Sequence, residues 1–95
     1  MGPVIGVLTL EIRVEEAHSL KEKRHVVKSL KDRLRERFNV SVAEIAHLDS
    51  WQHSVVAAVT VSNDRVYAEQ VLQHVENDAA NVLGGALVAS GVEWL

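Results

Sequence analysis

The chain has 95 residues, a formal net charge of −3 and apolar side chains at 47% of its positions, enough for one domain with a core of its own. It has no cysteine, which excludes disulfide scaffolding, thiol nucleophiles and thiolate metal sites. No apolar run approaches the roughly 18 residues of a membrane-spanning helix, and the start of the chain lacks the basic stretch of a signal peptide; the expectation is a cytoplasmic protein.

The charge is unevenly spread. Residues 20–37 hold eight cations against three acids, a net of +5, while the remainder holds Arg13 and Arg65 against ten acids, a net of −8. This count excludes a uniformly basic nucleic-acid binder but leaves room for a local basic face.

From Val4 to Val14 the pattern alternates. Leu8, Leu10, Ile12 and Val14 share one face, and Ile5, Val7, Thr9, Glu11 and Arg13 share the other, as in a strand with one buried side. Ser19 then offers an N-cap, and Glu22 completes a capping box. Val26, Val27, Leu30, Leu34 and Phe38 mark the buried side of the helix that follows, with Asn39 at its end. Lys23 falls toward that apolar side and is expected to snorkel from the core edge.

Arg24, Lys28, Lys31 and Arg35 recur at i, i+4, i+7 and i+11 and fall within an arc of about 60° beside Lys21. The stripe lies away from Val27, Leu30 and Leu34, so it is expected to face solvent. Neighbouring like charges repel by about 0.2–0.5 kcal/mol per pair, whereas a phosphate backbone relieves that repulsion. The competing reading is a solvated face with local ion pairs to Asp32 and Glu36. A phosphate at the helix start, beside Lys21, Lys23 and Arg24, is opposed by the Ser19 cap and the acidic Glu22.

Val40 to His47 reads as a second strand and Gln52 to Val61 as a third, joined by a hairpin at Leu48-Asp49-Ser50-Trp51. His47, Asp49 and His53 flank that hairpin without a strong metal-ligand signature. They are expected as surface hairpin residues, and no metal or cofactor is implied. Trp51 is expected to anchor the hairpin by packing. An RNA-stacking sheet needs aromatics on its central strands, and here only Trp51 comes close, at the very edge. Any nucleic-acid contact therefore falls to the helix. Asn63-Asp64 opens a second helix with an apolar stripe of Ala68, Val71, Leu72, Val75, Ala79 and Val82. Gly84-Gly85 ends it, and Ala86 to Leu95 forms a last strand softened by Gly91.

The order β-α-β-β-α-β places the chain in the α+β class. It predicts a single ferredoxin-like domain over residues 1–95, a four-stranded antiparallel sheet with two helices on one face and strands 1 and 3 in the middle. The other face is left open. Ile5, Val7, Val56 and Ala58 are expected on it, and so apolar a face favours self-association.

Ser19-Leu20-Lys21-Glu22-Lys23-Arg24, Lys28-Ser29-Leu30 and the run from Arg33 to Glu44, with Asp49, Trp51 and Val61-Ser62-Asn63-Asp64, resemble the YlxP-like family of small uncharacterised bacterial proteins. The likeness spans nearly the whole chain, is densest over residues 19–51 and is weakest after Gly84-Gly85. It implies a ferredoxin-like fold and genes lying beside those for translation initiation and ribosome maturation factors. It carries over no catalytic residue.

Acylphosphatase-type enzymes share the fold class, but their anion-cradling loop corresponds here to Glu15-Glu16-Ala17-His18, with two acids and no glycine. No phosphate loop, metalloprotease motif or nucleophile elbow occurs. The expectation is a non-enzymatic RNA- or ribosome-associated module that binds through Lys21, Arg24, Lys28, Lys31 and Arg35. The alternative is a regulatory or scaffolding homodimer, joined through the open sheet face, that binds an acidic protein or small ligand.

Overall fold

A computed structural model describes residues 2–95. It contains β1 (Val4–Arg13), α1 (Leu20–Arg37), β2 (Ser41–Ala46), β3 (His53–Ser62), α2 (Arg65–Leu83), a short 3-10 turn (Gly84–Ala86) and β4 (Leu87–Trp94). The strands form one antiparallel sheet in the order β2-β3-β1-β4. Both helices pack on one face, which is the ferredoxin-like arrangement. The alternating run of β1 explains its central place, since it pairs with β3 from Val4↔Ser62 to Arg13↔His53 and with β4 from Gly6↔Trp94 to Ile12↔Leu87.

Under the helices lie Leu8, Leu10 and Ile12 of β1, Val27, Leu30 and Leu34 of α1, and Leu72, Val75 and Ala79 of α2. Val56 and Ala58 join them, which corrects their expected place on the open face. They stand opposite Leu10 and Leu8 in the ladder, and directly opposed residues share a face. The open face of β3 instead presents Val55, Ala57, Val59 and Val61. Val82 departs from the expected stripe and is exposed. The cap of α1 falls at Phe38, one residue before Asn39. Gly84 caps α2 with a φ of 55°, a left-handed conformation that glycine adopts without steric cost. At Gly6 a Cβ would stand 2.6 Å from Trp94 Cζ3, so the missing side chain lets the indole lie against β1.

Lys23 does not snorkel. Its side chain is 0% exposed. Nζ donates to Glu44 Oε2 at 2.8 Å and to the carbonyls of His47 and Leu48 at 3.0 and 3.2 Å. Those bonds use all three ammonium protons. Glu44 Oε2 also accepts from the buried Ser54 hydroxyl at 2.6 Å. A bulge at Ile45 shifts the register between Glu44 and Ala46, after which His47 takes a φ of 60°. The ammonium thus holds the two carbonyls of a turn whose backbone is costly for a residue with a Cβ.

Lys23→Met is expected to lower stability by about 3–5 kcal/mol, because a mostly buried carboxylate and two turn carbonyls lose their donor. Lys23→Met with Glu44→Gln recovers part of that loss by removing the stranded charge. Urea denaturation of the three proteins checks both statements, and a single-variant loss below about 1 kcal/mol contradicts the assignment.

Candidate nucleic-acid interface on the first helix

Residues 20–37 form a helix because the apolar positions fall every three to four residues and the N-terminus is capped. Ser19 Oγ accepts from the Glu22 N–H at 3.1 Å, and Glu22 Oε2 accepts from the His18 N–H at 2.7 Å. The reciprocal arm of the box therefore reaches one residue further back than expected.

The basic stripe divides into two parts. Toward the C-terminus, Lys28 Nζ meets Asp32 Oδ2 at 2.7 Å and Arg35 stands 3.8 Å from Asp32 Oδ1. The hydrogen bond from Lys28, with the charges of Lys28, Arg35 and Lys31, holds the Asp32 carboxyl below its ordinary value. Arg35 also donates through Nη2 to the Val42 carbonyl on β2 at 2.6 Å. Toward the N-terminus, Lys21 and Arg24 are exposed. Among the described residues, Lys21, Arg24 and Lys31 form no ion pair. The Arg35 contact to β2 shows where the stripe lies, on the flank of α1 beside β2 rather than on its crest.

The remaining cations face inward or toward α2. Arg33 donates through Nε and Nη2 to the two carboxylate oxygens of Asp78, at 2.8 and 3.1 Å, and Arg37 lies 3.7 Å from Asp78 Oδ1. This two-pronged hydrogen bond is the main reason that the Asp78 carboxyl sits below, and the Arg33 guanidinium above, its ordinary value. Sequence reasoning missed this clamp, although Asp78 interrupts the buried stripe of α2 between Val75 and Ala79.

Of the hairpin residues, His47 and Asp49 are exposed, as expected, and His53 is partly buried. His47 and His53 stack with ring centroids 3.8 Å apart, and His53 Nε2 lies 3.2 Å from Glu11 Oε1. Asp49 does not join them, and among the described residues no three His, Cys, Asp or Glu side chains are placed to hold a metal. Stacked imidazoles aim their lone pairs along parallel planes rather than at one point. Trp51 is 57% exposed, which corrects its role as a packing anchor. Lys23 holds the turn instead, with Ser50 Oγ accepting from the His53 N–H at 3.1 Å.

The depressed Asp78 carboxyl contributes stability that is complete above the ordinary carboxylate value and is lost as pH falls through the lowered one. Asp78→Asn is therefore expected to be less stable than the parent at pH 7 and to converge with it as the pH falls below that lowered value, with a shallower acid limb between. Thermal unfolding across that range checks it; parallel curves contradict it.

None of the helices among the described residues is long and apolar enough to cross a membrane. Among solved structures the chain is similar to a dimeric ferredoxin-like protein of unknown function from Thermobifida fusca, at 13% identity and a TM-score of 0.55 over 100% of this chain and 92% of that one. It is also similar to a C-terminal segment of the alpha subunit of aIF2 from Pyrococcus abyssi, at 17% identity and a TM-score of 0.55, over all of this chain and 51% of that one. The designed protein Foldit4 matches at 13% identity and a TM-score of 0.60 over 99% and 97% of the two chains. At such identities the likeness is one of fold. In sequence, the chain is 42% identical over 72 residues to the uncharacterized protein YlxP of Bacillus subtilis (strain 168), covering 76% of this chain and 78% of that protein. Residues 5–90 match the family described as a protein of unknown function, DUF503, and the chain belongs to that family.

Proposed function

We propose that this protein is a non-enzymatic module that binds RNA, in or near the ribosome, through the β2-side flank of α1. One observation carries the reading. A helix of net charge +5 sits on a body of net charge −8, and Lys21, Arg24 and Lys31 line its outer flank without an ion-pair partner among the described residues. The helix is also rigidly held, by Lys23 on one side and Asp78 on the other, so these cations stand on a fixed platform. About 15 Å of such a flank matches several consecutive phosphates. The exposed Trp51 ring, on the turn that Lys23 ties to the N-terminal half of α1, offers a face on which an unpaired base can stack. The gene neighbourhood implied by the family resemblance favours a partner in translation.

The test is titration of ribosomal subunits and of generic RNA at two salt concentrations. The triple variant Lys21→Ala, Arg24→Ala, Lys31→Ala is expected to bind more weakly and to reduce the slope of log affinity against log salt by about 2. Unchanged affinity and slope in a folded variant overturn the reading.

A second reading rests on the open sheet face, where Ile5, Val7, Val55, Val59 and Val61 lie opposite the helices. Such a face is favourable to bury against a second copy, as a homodimer, which would make the protein a scaffolding domain with two basic helices. Sedimentation is expected to give twice the chain mass for the parent and a single chain mass for Val59→Lys. A parent that remains monomeric at high micromolar concentration removes it.

A further inference from the structure

The two edges of the sheet are not alike. β2 has six residues, is bulged at Ile45 and has its Val42 carbonyl covered by Arg35. These features blunt an edge against further pairing. β4 has eight residues and is bulged only at Val88, next to its start. From Ala89 to Trp94 it is regular, with no lysine, arginine or proline. The Leu95 N–H donates to the Ile5 carbonyl. In an antiparallel ladder that bond sets the alternation, so Glu93, Gly91 and Ala89 turn their backbone groups toward β1, while Trp94, Val92 and Ser90 turn theirs outward. No strand covers that edge among the described residues.

Beside it runs a groove between α2 and β4, with a volume of about 280 Å³. Leu72, Val92 and Trp94 form its apolar lining, and Glu69 and Glu76 stand on its rim with Gln73. Val92 is 46% exposed. Arg65 lies 3.9 Å over the Trp94 ring and pairs with Glu69, so a cation already occupies one corner of the groove. Glu76 accepts hydrogen bonds from Gln73 and Ser90, and neither it nor Glu93 has a cationic partner among the described residues.

We infer that the outer edge of β4 is a docking strand for an extended, basic polypeptide segment, which pairs with Ser90, Val92 and Trp94 through its backbone and sets lysine or arginine side chains between Glu69 and Glu76. Main-chain bonds supply the attraction and the acidic rim supplies the selection, as in other strand additions. A second copy of this chain is a poorer occupant. Its own β4 has no lysine or arginine to set between Glu69 and Glu76.

The probe is an end-blocked decapeptide of alternating lysine and valine, with a glutamate–valine decapeptide as its control, titrated into the folded protein and followed by backbone amide NMR. Shifts are expected at Ser90, Val92, Trp94, Glu69 and Glu76 with the basic peptide and not with the acidic one. Glu69→Gln with Glu76→Gln is expected to weaken binding about three- to tenfold. Val92→Pro removes an outward N–H that the native ladder does not use and is expected to abolish binding with the circular dichroism spectrum retained; should it fail to fold, the double glutamine variant decides. Equal binding of both peptides, shifts confined to other surfaces, or unchanged affinity in the glutamine variant overturns the inference. So does concentration-dependent pairing of β4 without peptide, which assigns the edge to a second copy.

Discussion

One ammonium group, withdrawn from water between the first helix and the β2–β3 hairpin, sets the geometry of half the molecule. A buried charge is tolerated only where every proton finds an oxygen, and Lys23 finds three, on Glu44, His47 and Leu48. Each partner constrains a different feature. Glu44 fixes the roll of α1 against β2, and the two carbonyls fix the turn. The bulge at Ile45 and the left-handed backbone of His47 are the local distortions that bring those oxygens to one point. An apolar residue in place of Lys23 could fill the volume, but it would not specify where the hairpin points.

The eight cations of α1 are therefore not one feature. Lys23 is internal glue. Arg33 and Arg37 join the two helices across Asp78. Lys28 and Arg35 surround Asp32, and Arg35 also reaches the edge of the sheet. Lys21, Arg24 and Lys31 form no ion pair among the described residues. A helix whose charge does this many jobs needs no strong intrinsic helix preference, because packing and ion pairs on two sides hold it. The same anchoring keeps its outer flank in one orientation.

Much of the fold was legible in the residues. The alternation of β1, the cap at Ser19 and the glycines after Leu83 mark their elements to within a residue or two, because each reports a local constraint. Pairwise geometry was less legible. Val56 and Ala58 read equally well on either face of β3, since that strand is apolar on both sides; only the register with β1 decides. Lys23 stood on the apolar side of the helical wheel, which was a signal. Its partners lie 21 to 25 residues away, and nothing local announces them. Trp51 suggested an anchor because large aromatics usually bury their surface, yet the turn was already held by polar bonds. The difference between the two sheet edges was invisible in the chain, because it depends on which backbone groups are left over once the ladder forms.

The central place of β1 has a consequence for how the molecule is made. β1 has both of its neighbours far downstream, at His53–Ser62 and Leu87–Trp94. Until those segments emerge, Leu8, Leu10 and Ile12 have no sheet to belong to. α1 and the hairpin can form early, since their contacts are closer in sequence, but the core closes only when Trp94 settles against Gly6. Such long-range pairing slows folding and leaves an apolar strand without partners during synthesis.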